Sequence, residues 1–318
     1  MKKNEQLLAT NTILRDRYRI GEVVGRGGYG QIYRAYDEWN EIIVAIKAEN
    51  MHRKGKRARR MILEQRVLLK MQGKAHVPVI LQTGSENGVN FIVMQYLSQN
   101  VGELRKESPM NRFSKSTCGR IMQQAIAGLR DLHQIGYIHR DMKPANICFG
   151  VTTASRHRLF VIDYGLVRRF RNENGEFRPS RRNVGFRGTL RYASPRVHHH
   201  MELGPSDDLT SLYYTFIELI RGSLPWRRFS CMEDVRVQKE QMENDGFAAV
   251  STGIGNTVSQ LGQAIASMSY DDEPNYSALQ ELVNELIGGK SLNDPYDWEE
   301  QYMEVILEKD VNRALGLI

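Results

Sequence analysis

The sequence predicts an α+β fold in two unequal lobes, a small antiparallel β-sheet with one main helix followed by a larger, mainly helical lobe. Three observations predict it. Strand-type alternation and short apolar runs prevail up to Met94, helix-spaced apolar residues prevail from Ile121 onward, and the short join Gln95-Tyr96-Leu97 lies between the two regimes. A chain of 318 residues is long enough to bury a large core in two such units.

The first lobe follows from its pattern in order. Residues 1–17 read as a polar extension, and Tyr18 to Lys47 as three strands. Gly25, Gly27 and Gly30 form G-x-G-x-x-G, which also suits a dinucleotide fold, and Glu49 supplies the acid about 20 residues on that such a fold wants. That alternative requires a helix directly after the glycines. Residues 31–41 instead show Ile32/Arg34/Tyr36 alternation and an Asp-Glu-Trp-Asn turn, which is a hairpin pattern. Glycines at a hairpin tip let backbone amides close over phosphates, because no Cβ blocks the approach. Lys47, ending Val44-Ala45-Ile46-Lys47, can then pair with phosphate oxygens. A buried lysine needs an acidic partner. Between Arg57 and Met71 the residues Met61, Leu68 and Met71 share a helical stripe that contains Glu64, so a Lys47–Glu64 pair is expected, with a surface pair to Arg60 or Lys70 as the alternative. Val79-Ile80-Leu81 and Phe91 to Met94 add two strands.

After the join, Ile121, Met122, Ala125, Ile126, Leu129 and Leu132 predict a helix stopping at Gly136. A second apolar helix is expected from Asp208 through Ile220, with Asp207 and Asp208 complementing its dipole and Asp208 bracing the segment around residue 140. Asn293 to Glu300 introduces a terminal helix.

The most informative segment is His139-Arg140-Asp141-Met142-Lys143-Pro144-Ala145-Asn146, followed by the apolar run Leu159 to Ile162 and then Asp163-Tyr164-Gly165. Transfer of a terminal phosphate needs a carboxylate that orients the attacking hydroxyl and takes its proton, plus oxygen ligands for magnesium. Asp141 fits the first role, Asn146 and Asp163 the second, and Lys143 places a cation near the transferred group. The competing reading is an Asp/Asn-rich turn before a strand. The whole string is far more specific than its first three residues.

Composition bounds the setting. Hydrophobic and charged contents of 41% and 25% are ordinary for a globular protein. No stretch approaches the roughly 18 apolar residues of a membrane span, and no signal-type run follows Met1-Lys2-Lys3. Cys118, Cys148 and Cys231 have neither disulfide nor zinc spacing. An intracellular protein, cytoplasmic or nuclear, without membrane attachment is expected. The net charge is +7 and the pI about 9.2. Basic residues concentrate at 52–60 and again, as arginine without lysine, in Arg168, Arg169, Arg171, Arg178, Arg181, Arg182, Arg187 and Arg191. Arginine's fork suits phosphate and carboxylate, so acidic partners are expected; a merely solvated loop is the plainer alternative. Nucleic acid is not expected, because no recognised nucleic-acid-binding motif accompanies these arginines.

With these residues in view the chain resembles the protein kinase superfamily over roughly residues 18–305. Within it the chain resembles the casein-kinase-I group, in Phe186-Arg187-Gly188-Thr189-Leu190-Arg191-Tyr192-Ala193-Ser194, Asp207-Asp208-Leu209 and Gly222-Ser223-Leu224-Pro225-Trp226. Met94-Gln95, Trp226-Arg227 and Pro295-Tyr296-Asp297-Trp298 look most like its tau-tubulin kinase branch. The resemblance implies a bilobal protein-kinase-like fold with a first lobe 18–94, a hinge 95–97, a second lobe 98–305 and a tail 306–318. It implies a serine/threonine kinase using ATP and Mg2+ on acidic or phospho-primed protein substrates, with a non-catalytic scaffold as the alternative. Val24, Gly25, Gly27, Gly30, Ile32, Ala45, Lys47, Met94, Gln95, Leu97, Cys148 and Ile162 would line the ATP site, although the apolar ones equally suit plain core. Lys47, Glu64, Asp141 and Lys143 would be catalytic, Asn146 and Asp163 metal-binding, and Arg191 and Lys239 anion-binding. Two features depart from kinases at large: Asp-Tyr-Gly at 163–165, and Arg196 where an anchoring glutamate usually stands. Arg140 could clamp a phosphorylated loop residue.

Overall fold

A computed structural model describes residues 5–27, 30–53 and 56–299, so the loop tip at 28–29, the expected terminal helix and the tail 306–318 lie outside the described residues, as do the side chains of the basic run 53–57. The first part comprises β1 (Ile13–Leu14), β2 (Tyr18–Arg26), β3 (Gln31–Asp37), β4 (Ile42–Asn50), β5 (His52–Arg53), β6 (Lys56–Arg57), α1 (Arg60–Met71), β7 (Ile80–Glu86) and β8 (Val89–Gln95). Six strands form one sheet in the order β1-β2-β3-β4-β8-β7, and each neighbouring pair is antiparallel. Residues after the glycines form β3 and a turn rather than a helix, which removes the dinucleotide alternative. Along β3, buried Tyr33 and Ala35 alternate with exposed Arg34 and Tyr36, the period of a half-covered strand.

The stripe expected on α1 is buried: Met61, Glu64, Val67, Leu68 and Met71. Its apolar members belong to the core of the second lobe, beside Leu129 and Tyr164. The sheet keeps a separate cluster of Tyr18, Tyr33, Val44, Ile46 and Phe91. Burial of each such side chain stabilises by about 1.5–3 kcal/mol, so α1 is fastened to the lower lobe as well as to the sheet, whose Ile92 belongs to the same cluster.

The join is shorter than the three residues expected. Gln95 still belongs to β8, where it pairs with Val44 and its N–H donates to Val79 O (2.9 Å), and β9 (Leu97–Asn100) starts one residue after Tyr96. There follow α2 (Val101–Glu107), α3 (Lys115–Gln134), β10 (Tyr137–Ile138), β11 (Ile147–Gly150), β12 (Leu159–Val161), β13 (Arg168–Arg169), α4 (Pro195–His198), α5 (Pro205–Arg221), α6 (Met232–Asn244), α7 (Ala248–Ser251), α8 (Asn256–Ala266) and α9 (Tyr276–Ile287). β11 is central in a three-stranded sheet between β12 and β9. On α3 all six residues of the expected stripe are buried, and Ser114 Oγ caps the helix by accepting from Thr117 N (3.2 Å). α5 begins three residues earlier than expected, where the Asp207 carboxylate accepts from Gly204 N (2.8 Å). No helix among the described residues is long and apolar enough to cross a membrane.

The segment Pro295–Trp298 is clasped onto this lobe. Arg120, fully buried on α3, donates to Pro295 O (2.9 Å) and lies 4.0 Å over the Tyr296 ring. Tyr296 stacks on Trp298 at 4.8 Å, and Phe149 of β11 packs against both rings at 4.9 and 5.2 Å. Asp297 accepts from Ser114 Oγ (2.8 Å) and Thr117 Oγ1 (2.7 Å).

Leu129, fully buried at the centre of α3, tests this packing. Leu129→Ala is expected to lower the unfolding free energy by about 2–5 kcal/mol, read from the midpoint of a urea transition with unchanged slope.

Candidate active site

The ladder β3–β4–β8 brings the upper residues together. Gly25 pairs with Ile32, Ile32 with Lys47, and Ala45 with Met94. A Cβ at Gly30 would run into the Ala48 carbonyl oxygen, whereas one at Gly27 meets nothing within 4 Å. Gly30 is therefore required by the protein's own packing, whereas Gly27 leaves open space for a ligand to approach. Val24 is 47% exposed, and Ile32, Ala45, Met94, Leu97 and Ile162 are half-buried, as suits pocket walls. Cys148 is buried in β11, where desolvation pushes its thiol up to about 12. Buried in this way, it is an apolar packing residue rather than a reactive thiol. The Gln95 N–H is committed to Val79, so this residue has only its carbonyl side to offer an adenine edge.

Lys47 lies at the centre. Its Nζ donates to Glu64 Oε1 (2.7 Å), Glu64 Oε2 (2.8 Å) and Asp163 Oδ1 (2.8 Å). Burial works against its charge, but the Glu64 and Asp163 carboxylates outweigh it and hold the ammonium above its usual range. The expected partner on α1 is thus in place, and the alternative of a surface pair for Glu64 is not adopted. Desolvation pushes the Asp163 carboxyl up, yet Lys47, His139 and Lys143 together carry it down to about 2.

A second cluster adjoins the first. Asp141 Oδ1 accepts from Thr189 Oγ1 (2.7 Å), Oδ2 accepts from Lys143 Nζ (2.6 Å), and Lys143 also donates to Thr189 (2.9 Å). Asn146 Nδ2 donates to Asp141 O (2.8 Å), and the Asn146 backbone carbonyl accepts from Ile162 N (3.0 Å), one residue before Asp163. The Asn146 amide oxygen and the Asp163 carboxylate are hard donors of the kind magnesium takes, two protein oxygens being typical when phosphates supply the rest. Thr189 had no assigned part in the sequence reading. Its hydroxyl reaches Asp141 because Gly188, at φ 104°, passes so close beneath the 139–146 loop that a Cβ there would lie 2.6 Å from Arg140 O. A Gly-Thr pair downstream of Asp-Tyr-Gly was the available signal.

The loop itself is strained and braced. Arg140 (φ 68°) and Asp163 (φ 64°) both hold left-handed backbone, which non-glycine residues adopt at a cost of about 1–3 kcal/mol. Asp208, from the first turn of α5, accepts from His139 N (2.6 Å) and Arg140 N (2.7 Å), as its expected brace requires. His133 Nε2 lies 2.9 Å from the same carboxylate and Tyr276 OH 2.7 Å from the other ring nitrogen. Burial raises the Asp208 carboxyl, but His133, His139 and these amides more than offset it, and the group stays below its usual range.

The loop arginines divide. Arg140, Arg168, Arg181, Arg182 and Arg187 line a recess of about 330 Å³. One carboxylate, the buried Glu202, faces Arg168 (2.9 Å) and Arg181 (2.6 Å), so the recess keeps an excess of positive charge. Burial, followed by the like charges of Arg168 and Arg187, pushes Arg140 down to about 10. The two residues expected to bind anions do not line it. Arg191 is turned towards Glu218 (3.7 Å). Lys239 is a correction: it is fully buried, its ammonium donating to Leu190 O (2.8 Å) and Ala193 O (2.6 Å), and a cation with no exposed surface cannot meet an external anion.

Comparison with known proteins agrees with this geometry. The model of the protein kinase domain matches residues 18–290. A Caenorhabditis elegans protein provisionally named a casein kinase I is 44% identical over 296 residues, 93% of this chain and 87% of its own length. A Dictyostelium discoideum protein provisionally named a serine/threonine-protein kinase is 34% identical, covering 92% of this chain and 58% of its own length. A second C. elegans serine/threonine-protein kinase is 27% identical over 293 residues, 89% of this chain and 76% of its own.

The brace is testable without any substrate. Asp208→Asn is expected to lower stability by about 1–3 kcal/mol and to speed hydrogen exchange at the His139 and Arg140 amides, with α8 unaffected, since a charged acceptor is lost from two backbone donors.

Proposed function

This chain belongs to the protein kinase family, within its casein-kinase-I group, and is a serine/threonine protein kinase that uses ATP; on that premise we propose how its own residues carry the reaction and which substrates it prefers. One observation carries the assignment of roles. Glu64, Lys47 and Asp163 form one polar cluster and Asn146, Asp141, Lys143 and Thr189 a second, and the bond from Ile162 N to Asn146 O ties the two side by side.

In this reading the glycine hairpin covers the triphosphate and Lys47, fixed by Glu64, takes phosphate oxygens. Asp163 and Asn146 would hold magnesium, which when bound neutralises phosphate charge. Asp141 accepts the proton of a substrate Ser or Thr hydroxyl as that oxygen bonds to the γ-phosphorus. The bond from phosphorus to the β–γ bridging oxygen breaks, and ADP leaves. Lys143 sits where the transferred group would carry its charge, and Thr189 holds Asp141 in position. Val24, Ile32, Ala45, Met94, Leu97, Cys148 and Ile162 would enclose the adenine. Positioning and electrostatics supply the rate.

Substrates with a carboxylate or phosphate near the target residue are favoured in this reading because the arginine recess adjoins the catalytic loop through Arg140. Arginine pairs bidentately with both groups, and an uncompensated arginine cluster gains most from an anion. Met94-Gln95, Trp226-Arg227 and Pro295 to Trp298 support placement in the tau-tubulin kinase branch. The need for ATP supports an intracellular site of action.

Asp141→Asn and Lys47→Met are each expected to lower kcat at least about a hundredfold on an acidic peptide while the melting transition stays cooperative. Full activity in either variant would remove the assignment. For substrate choice, Arg187→Ala is expected to raise KM for a phosphorylated peptide roughly tenfold and to change that of its unphosphorylated twin little. Equal effects on both peptides would count against recognition by the recess.

A further inference from the structure

We propose that Lys239 is a positioning residue for the peptide substrate: from α6 its ammonium grips the loop Leu190–Ala193 and thereby keeps Thr189 seated on Asp141. The proposal rests on the kinase reading of the site. Besides Leu190 O and Ala193 O, the ammonium meets His198 Nε2 at 3.2 Å, so its three donors face three acceptors, and the rings of Tyr214 and Trp226 close over it at 5.3 Å each. A cation taken wholly out of water is costly, and here its partners are backbone oxygens of an irregular loop rather than a carboxylate. A charge held in this way fixes those two carbonyls, which a neutral side chain of equal size would leave unsatisfied.

The loop needs such fastening. Leu190 directly follows Thr189, and the amides of Tyr192 and Ala193 fold back onto Thr189 O (2.9 and 3.0 Å). Arg191 O accepts from Trp226 Nε1 (2.8 Å), Tyr192 OH bonds Glu218, and Ser194 Oγ donates to Asp207 (2.5 Å). Glu218 also meets two residues of this loop through their side chains, Tyr192 and Arg191, but of these groups Lys239 alone holds two of its backbone carbonyls. The groups facing it are His198 from α4, Tyr214 from α5 and Glu243 from its own helix, while Arg236 and Glu240 of α6 act on His198. Burial and the Lys239 charge push His198 down to about 4, so it remains a neutral acceptor around pH 7. Burial likewise pushes Lys239 down to about 7. The gripping ammonium is therefore complete below about pH 7 and is lost as pH rises through that value.

The experiment compares the unmodified chain with Lys239→Met, using an aspartate-rich peptide whose own groups do not titrate near neutrality. Loss of two charge-assisted hydrogen bonds is expected to raise peptide KM by roughly tenfold with KM for ATP unchanged, and to speed exchange of the Tyr192 and Ala193 amides by a similar factor. Lys239→Arg is expected to restore part of the loss, which an apolar packing role would not. In the unmodified chain, peptide KM should climb as pH passes from about 6 to about 9, and this slope should vanish in Lys239→Met. Peptide KM within twofold of the unmodified chain, with unchanged amide exchange, overturns the proposal. Should the Met variant fail to fold, the pH series decides, and a flat peptide KM overturns it. If the unmodified chain transfers no phosphate, the kinase reading fails separately, and the exchange data still test the clamp.

Discussion

One ammonium group joins three segments that lie far apart in the chain. Lys47 comes from the central strand β4, Glu64 from α1, and Asp163 from the turn after β12, and all three meet within 2.8 Å. Neither Lys47 nor Glu64 could be buried alone, because an isolated charge loses several kcal/mol of hydration, whereas Asp163 keeps part of its carboxylate open to the cleft. Together they leave one negative charge in excess, which suits a cleft proposed to receive divalent cations. The same contacts fix the angle of α1, whose apolar stripe is already sunk in the lower core. Catalytic geometry and lobe arrangement are therefore set by the same bonds.

Below this triad the chain stores strain and restrains it. Left-handed backbone at Arg140 and Asp163 makes two sharp bends, one before Asp141 and one at the acid that meets Lys47. Asp208 holds the first of these through two backbone amides, His133 holds Asp208, and Tyr276 in turn holds His133. A buried carboxylate with such partners is stable only when fully satisfied, so the brace behaves as a unit and is expected to fail as one.

Where chemistry dictates both residue type and spacing, the sequence was readable. Asp141, Lys143, Asn146 and Asp163 stand out because phosphoryl transfer admits few substitutes, and Glu64 because a carboxylate in an apolar helical stripe needs a cation. Strand periodicity separated the hairpin from a dinucleotide crossover for a similar reason. Lys239 was misread because nothing local distinguishes a solvated helix lysine from a caged one; its burial arises from carbonyls some 46 and 49 residues earlier in the chain. Thr189 escaped notice because its partner lies 48 residues away. The recess was legible only as a density of arginines, since which of them converge is decided by Glu202 and by the path of the loop. The shortened join at Tyr96 follows from pairing on both flanks, by Val44 and Gly150, which no window of sequence contains.

The aromatic clasp beyond the last long helix bears on where the functional unit stops. Phe149, one residue past the cysteine proposed to floor the nucleotide pocket, has as its backing the rings of Tyr296 and Trp298, and Arg120 has as its acceptors the carbonyls just before them. The stretch matched by the family model stops at residue 290. A protein trimmed to that limit would strip the outer wall from β11 and leave a buried guanidinium facing water, so loss of a segment remote from Lys47 and Asp141 would be felt directly beneath the proposed adenine site.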